Sequence, residues 1–209
     1  MSTCALVAAS DFNAKHFKTA YDAGRFDAVF AVDAGFAHLE AVGCVPDMAI
    51  GDFDSLGFAP KCRRVIQLPV EKDKSDLEAA MDRAKTRRYD EVVIYGALGE
   101  RLDHTVANMQ MCAQFAEGGM GVTLISDDYA LRIVVGPDVY ELSLLDEGTV
   151  SVFAATDQAH GVIERGMKYS IDDETLTNRT TRGLSNELQG IEAVVAVEEG
   201  TLFVFHPLA

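Results

Sequence analysis

The sequence predicts an N-terminal α/β part built on a doubly wound parallel sheet, followed by a smaller antiparallel β part, a sandwich or barrel. Three observations predict it. Short β-prone runs alternate with helical 3.6-residue patterns through the first two thirds of the chain, which is the signature of βαβ units. From Asp138 onward that period disappears and short apolar runs follow one another as antiparallel strands do. The 209 residues are 48% hydrophobic and 24% charged with only 5 Pro, enough apolar material to bury a full core in one large domain or two small ones.

Taken in order, Cys4 to Ala9 (CALVAA) is a strand, and Ala14, Phe17, Ala20 and Tyr21 mark the inward face of a helix that Gly24 ends. Ala28 to Val32 leads into a helix over Phe36 to Val42, closed by Gly43. Met48 to Ile50 is a short apolar run. Arg64 to Leu68 leads into a helix over Ser75 to Lys85, and Glu91 to Tyr95 leads into a helix over Leu102 to Ala116 whose buried stripe is Leu102, Val106 and Met109. Gly121 to Ser126 adds another strand. Gly136-Pro137 marks the boundary, giving an α/β part over 1–137 and an all-β part over 138–209. In the latter, Tyr140 to Leu144, Thr149 to Ala154 and Gly161 to Glu164 are strands, and Ala193 to Val197, a Glu-Glu-Gly turn and Thr201 to Phe205 predict a hairpin.

Charge excludes some functions. Eighteen basic residues stand against 33 acidic ones, a net of -15, which repels a nucleic-acid backbone or an anionic membrane. Residues 1–137 hold 14 basic and 20 acidic side chains (-6), and 138–209 hold 4 and 13 (-9), so the cations that could meet a polyanionic ligand lie in the first part. Cys4, Cys44, Cys62 and Cys112 form no CxxC pair and sit in or beside apolar segments, as buried free thiols do. With no basic leader at Met1 to Ser10 and no apolar run near the ~20 residues a membrane helix needs, a cytoplasmic protein is expected.

Ligands of an open parallel sheet gather at the carboxyl ends of its strands, and here those ends are rich in acids. Asp33 follows the second strand. Asp52 and Asp54, in Gly51-Asp52-Phe53-Asp54-Ser55, follow Met48 to Ile50. Two carboxylates two residues apart in an extended turn can face one hard cation, although an Asx-turn loop explains an isolated Asp-x-Asp equally well. Asp73 and Asp76 come next. Ser75 and Glu78 form a capping box that puts Asp76 in the first turn of a helix, where the dipole alone stabilises a carboxylate and where phosphate also binds. Arg101, Asp103 and His104 open the following helix, with His104 and Asn108 on one face. Arg101 suits either bidentate phosphate contact or a surface ion pair with a nearby Asp. Gly183-Leu184-Ser185-Asn186-Glu187 follows a polar stretch, Thr177 to Arg182, and taken alone fits any hairpin loop.

Together, Asp33-Ala34-Gly35, Pro46-Asp47 to GDFDS, KDKSD at Lys72 to Asp76, GERLDH at Gly99 to His104 with Asn108, and GLSNE at Gly183 to Glu187 span nearly the whole chain. In this order and spacing they resemble thiamine pyrophosphokinases. The resemblance implies an N-terminal α/β nucleotide-binding domain with a C-terminal β-sandwich, a homodimer, and transfer of diphosphate from ATP to the thiamine hydroxyl with release of AMP. It also implies Asp52, Asp54 and Asp76 as Mg²⁺ ligands, Asp33, Asp73, Arg101 and Asp103, with His104 and Asn108, around ATP, and Ser185 and Asn186 against thiamine. Asp54, Asp73, Arg101 and Asp103 are then the catalytic set, with Asp73 and Asp103 candidates for taking the alcohol proton. The chain departs from the pattern at Ala34 and Glu100, where the family favours Gly, and it has no Trp to stack on thiamine. Two other functions use some of the same residues: a metal-dependent nucleotide-sugar transferase, which leaves GLSNE unexplained, and a non-catalytic thiamine or nucleotide sensor.

Overall fold

The computed structural model describes every residue except Ser55, 57–59, Glu100, 143–145 and Ala209. It divides into two compact units, residues 1–111 with 119–127, and 112–118 with 128–209.

The first unit is a parallel sheet in the order β6-β5-β1-β2-β3-β4, made of β1 (Thr3–Val7), β2 (Ala28–Val32), β3 (Met48–Gly51), β4 (Val65–Gln67), β5 (Glu91–Tyr95) and β6 (Gly121–Ile125). All five pairings are parallel. Helices α1 (Ala14–Asp22), α2 (Gly35–Ala41), α3 (Asp76–Thr86) and α4 (Leu102–Glu117) lie between strands in the chain. Strands covered on both faces need continuous apolar sequence, and β2 (AVFAV) is buried at every position. In α3 the period works as read: Leu77, Met81 and Ala84 are buried, and the Ser75 hydroxyl accepts the Glu78 N–H at 3.1 Å to cap the helix.

In α4 the expected stripe is wrong. Leu102 is 74% and Val106 54% exposed, whereas Cys112, Ala113, Phe115 and Ala116 are buried. A 3.6-residue period identifies an apolar face without saying whether anything packs on it, and the apolar residues of the first turns meet solvent. The end of α4 belongs to the second unit, where Thr201 Oγ1 donates to Glu117 Oε1 at 2.7 Å.

The second unit holds two four-stranded antiparallel arrays. One is β12-β9-β14-β7, from β7 (Tyr129–Val135), β9 (Thr149–Ala154), β12 (Gly183–Glu187) and β14 (Thr201–Pro207). The other is β11-β10-β13-β8, from β8 (Asp138–Glu141), β10 (Gln158–Arg165), β11 (Ile171–Thr177) and β13 (Val194–Val197). Val150, Val152, Leu202 and Val204 of the first array pack with Val162, Leu176 and Val195 of the second in one core.

Three expectations change here. Val194–Val197 and Thr201–Pro207 do not pair as a hairpin: β13 joins β10 and β8 while β14 joins β7 and β9, so the Glu-Glu-Gly turn carries the chain from one array to the other. GLSNE is a strand, not a hairpin loop, with a register break between Gly183 and Asn186 and Ser185 at φ +58°. Tyr129–Val135, which lacked an assignment, pairs with β14, so the second unit begins one strand before the change in texture. Of the expected strand at Tyr140 to Leu144, Tyr140 and Glu141 are in β8 and Leu144 lies outside the described residues.

Candidate functional site

The order 6-5-1-2-3-4 reverses direction between β1 and β5, and a crevice at that switch point follows from the crossovers leaving on opposite sides. A cleft of about 700 Å³ lies there, lined by Ala8 to Ser10 after β1 and by Gly96 and Ala97 after β5. Its floor requires close backbone approach. Gly96 has φ +68°, and a Cβ there would stand 2.2 Å from Ala8 O; a Cβ on Gly51 would stand 2.8 Å from Asp33 Cα.

Asp33 ends β2 at φ +47°, its N–H donating to Ile50 O at 2.8 Å, and its Oδ1 accepts the Phe53 N–H at 3.2 Å. Two neighbouring strand ends are thereby tied, and Asp33 is brought to Asp52 and to Asp76 at the start of α3. One carboxylate oxygen from each of the three lies within 4.8 Å of the other two. Lys72 enters the same group, with Nζ 2.8 Å from Asp52 Oδ2 and 3.1 Å from Asp76 Oδ1. The closer ammonium holds Asp52 below the ordinary carboxylate range, helped by the Asp54 N–H that Asp52 Oδ1 accepts at 3.3 Å. Asp76 goes the other way, because burial outweighs the attraction of Lys72. Its two carboxylates raise Lys72 further into its charged form. Three hard oxygen donors so close together fit a divalent cation of the Mg²⁺ type.

The remaining sequence candidates divide. Asp73, Arg101, His104 and Asn108 line the cleft. Asn108 Nδ2 donates to Ala97 O at 2.7 Å, which fixes the wall beneath β5. Asp54 is exposed and is not part of the three-carboxylate group among the described residues. Arg101 makes a two-pronged ion pair with Asp103, Nε to Oδ1 at 2.9 Å and Nη2 to Oδ2 at 2.6 Å, with both side chains about two-thirds exposed. That pair holds Asp103 well below the usual range and raises Arg101. Ser55 and Glu100 lie outside the described residues.

In the second unit, Ser185 is exposed and its N–H donates to Ser151 Oγ at 3.0 Å. Asn186 is 4% exposed, and all its polar positions are engaged. Oδ1 accepts the Tyr169 and Glu187 N–H groups, both at 3.0 Å, and Nδ2 donates to Tyr169 O at 2.6 Å and Glu164 Oε2 at 2.8 Å. Tyr169, held on both backbone groups by that one side chain, is 57% exposed, with Lys168 Nζ 5.5 Å from its ring centre.

Sequence reasoning missed Lys72 as a member of the carboxylate group, though it stands in the KDKSD motif, and gave Asp33 a place by the phosphates, not in the cluster. Glu164 and Tyr169 carried no local signal. Only the fold brings them to Asn186.

Carboxylates, a lysine and an arginine around a switch-point cleft define the class: an α/β enzyme that handles a phosphorylated substrate with the help of a cation. Residues 23–124 match the family model described as thiamin pyrophosphokinase, catalytic domain. The chain is 28% identical over 181 residues to the thiamine pyrophosphokinase of Bacillus subtilis strain 168, covering 83% of this chain and 84% of the relative. The crystal structure of the Bacillus subtilis enzyme superposes with a TM-score of 0.83 at 25% identity over 100% of both chains. That from Candida albicans, at 12% identity, shares the fold, with a TM-score of 0.77 over 99% of this chain and 89% of the other. The chain is thus similar to thiamine pyrophosphokinases in sequence over most of its length and in fold over all of it. No helix among the described residues is long and apolar enough to cross a membrane.

Proposed function

We propose that this chain transfers diphosphate from ATP to the hydroxyl of thiamine, releasing AMP and thiamine diphosphate, with Mg²⁺ as the metal. The observation that carries the proposal is the group formed by Asp33, Asp52, Asp76 and Lys72 at the edge of a cleft large enough for a nucleotide triphosphate.

Asp33, Asp52 and Asp76 are the residues that would hold the cation, which when bound supplies charge neutralisation along the triphosphate. Lys72 adds a positive charge beside the same oxygens. Arg101 exchanges its exposed pairing with Asp103 for phosphate oxygens, which releases Asp103 toward the reacting hydroxyl; Asp73, on the cleft wall, is the other candidate for that proton. His104 and Asn108 shape the nucleotide side of the cleft. Diphosphoryl transfer asks the protein mainly for alignment and for positive charge where negative charge develops, and these residues provide both.

Ser185 supplies the thiamine contact in the second unit. Asn186 acts there by shaping the strand, since its polar atoms are all engaged. Tyr169, exposed beside it, takes the stacking role for which the chain has no Trp. The first unit thus carries ATP and metal and the second thiamine, and the active form is a homodimer of the 22.6 kDa chain, located in the cytoplasm.

Incubating the purified protein with ATP, thiamine and Mg²⁺ tests the reading. AMP and thiamine diphosphate should appear in equal amounts, stop on chelation and resume when Mg²⁺ is restored. Binding of thiamine without turnover would identify a sensor instead.

A further inference from the structure

We propose that Glu164 is a positioning residue that sets the shape of the Gly183–Glu187 segment through Asn186. Glu164 lies on β10 between Ile171 of β11 and Val195 of β13, and it is completely buried. Its side chain reaches across the core to the other array: a Cβ on Gly183 would stand 3.1 Å from Glu164 Oε1, and the 2.3 Å it would leave to Val152 O is what demands glycine there. Oε2 accepts from Asn186 Nδ2 at 2.8 Å, while Oε1 meets no hydrogen-bond partner among the described residues.

A carboxyl is costly to bury, and nothing in the catalytic chemistry uses this one. Its bond to Asn186 gives it a purpose. Asn186 holds the Tyr169 N–H, the Tyr169 carbonyl and the Glu187 N–H with one amide, and Glu164 fixes which way that amide faces. The orientation matters because the segment is bulged and Ser185 sits at φ +58°, a conformation a non-glycine residue keeps only when its surroundings impose it.

Burial raises the Glu164 carboxyl from 4.5 to about 7. Among the described residues the charged groups acting on it are Arg182, just before β12, which favours ionisation, and Glu174 of β11, which opposes it. Those two pair with one another, Nε to Oε2 at 3.2 Å and Nη2 to Oε1 at 2.8 Å, and so largely offset each other. Below about pH 7 the carboxyl is mostly neutral, which lowers the cost of burying it. Above it a buried charge remains with the Asn186 amide as its hydrogen-bond partner, and the segment loosens.

Hydrogen exchange at the Tyr169 and Glu187 amides reads the positioning directly, and the thiamine KM reads its consequence, which rests on the assignment of Ser185 to thiamine. In Glu164→Leu, exchange at both amides should rise at least about fivefold and the thiamine KM by a similar factor, with the ATP KM within about twofold. Glu164→Gln, which still accepts from Asn186, should restore parent values at pH 6.5. It should also lack the additional exchange the parent shows between pH 6.5 and 8 above the intrinsic base-catalysed rise. Unchanged exchange in Glu164→Leu overturns the proposal, whatever the kinetics do. Should that variant fail to fold, superimposable exchange profiles of the parent and Glu164→Gln across that pH range overturn it instead. Raised exchange with an unmoved thiamine KM supports the positioning role and rejects the assignment of thiamine to this segment.

Discussion

Four aspartates are candidates for the three places of the proposed metal site. Family resemblance names Asp52, Asp54 and Asp76, and the geometry gathers Asp33, Asp52 and Asp76, leaving Asp54 exposed one step along the loop. Substituting each by Asn separates the two sets, since the amide preserves size and removes the charge. Asp52→Asn and Asp76→Asn should each retain under a tenth of parent activity, a barrier increase above about 1.4 kcal/mol. Asp33→Asn should fall with them, and Asp54→Asn should lose less, as measured by initial rates at saturating ATP and by Mg²⁺ titration. The reverse order for Asp33 and Asp54 would restore the Asp-x-Asp pair to the metal. Arg101 faces a similar choice. In the structure it is the surface partner of Asp103, and the proposed function asks it to grip phosphate. Arg101→Lys should then raise the ATP KM several-fold, because an ammonium cannot reproduce the forked contact. An unchanged ATP KM would leave Arg101 as an ion-pair partner only.

At the scale of elements, much of the first unit was legible because its signals are local. Five consecutive buried residues in β2 admit few interpretations, and the Ser75 to Glu78 spacing specified the start of α3 to the residue. That cap is measurable: Ser75→Ala should cost about 1 kcal/mol and lower the melting midpoint of a chain this size by about 2–4 °C, as followed by circular dichroism. What escaped the sequence depended on partners distant in the chain. Leu102 and Val106 keep perfect helical spacing yet meet solvent. The Glu-Glu-Gly turn has hairpin composition, but β13 and β14 each find better partners elsewhere. GLSNE carries three polar residues in five and looks like a loop until β9 pairs with it.

For the whole molecule, the candidate site was legible as a list of residue types and illegible as a set of contacts. Strand-end carboxylates are legible as candidates for a cation site. The entry of Lys72, the choice of Asp33 over Asp54 and the crossing of Glu164 to Asn186 are products of folding. The same buried carboxyl gives the second unit a pH-dependent stability. Its folded-state value of about 7 lies above the ordinary 4.5, so its contribution is fully present below pH 4.5 and is lost as pH rises through 7. The central claim is that two phosphates move together, and tracing phosphorus tests it most directly. With ATP labelled at the α or the γ position, the α label should end in AMP alone and the γ label in thiamine diphosphate alone. The γ label in thiamine monophosphate, with the α label left in ADP, would mean single phosphoryl transfer and would contradict the account.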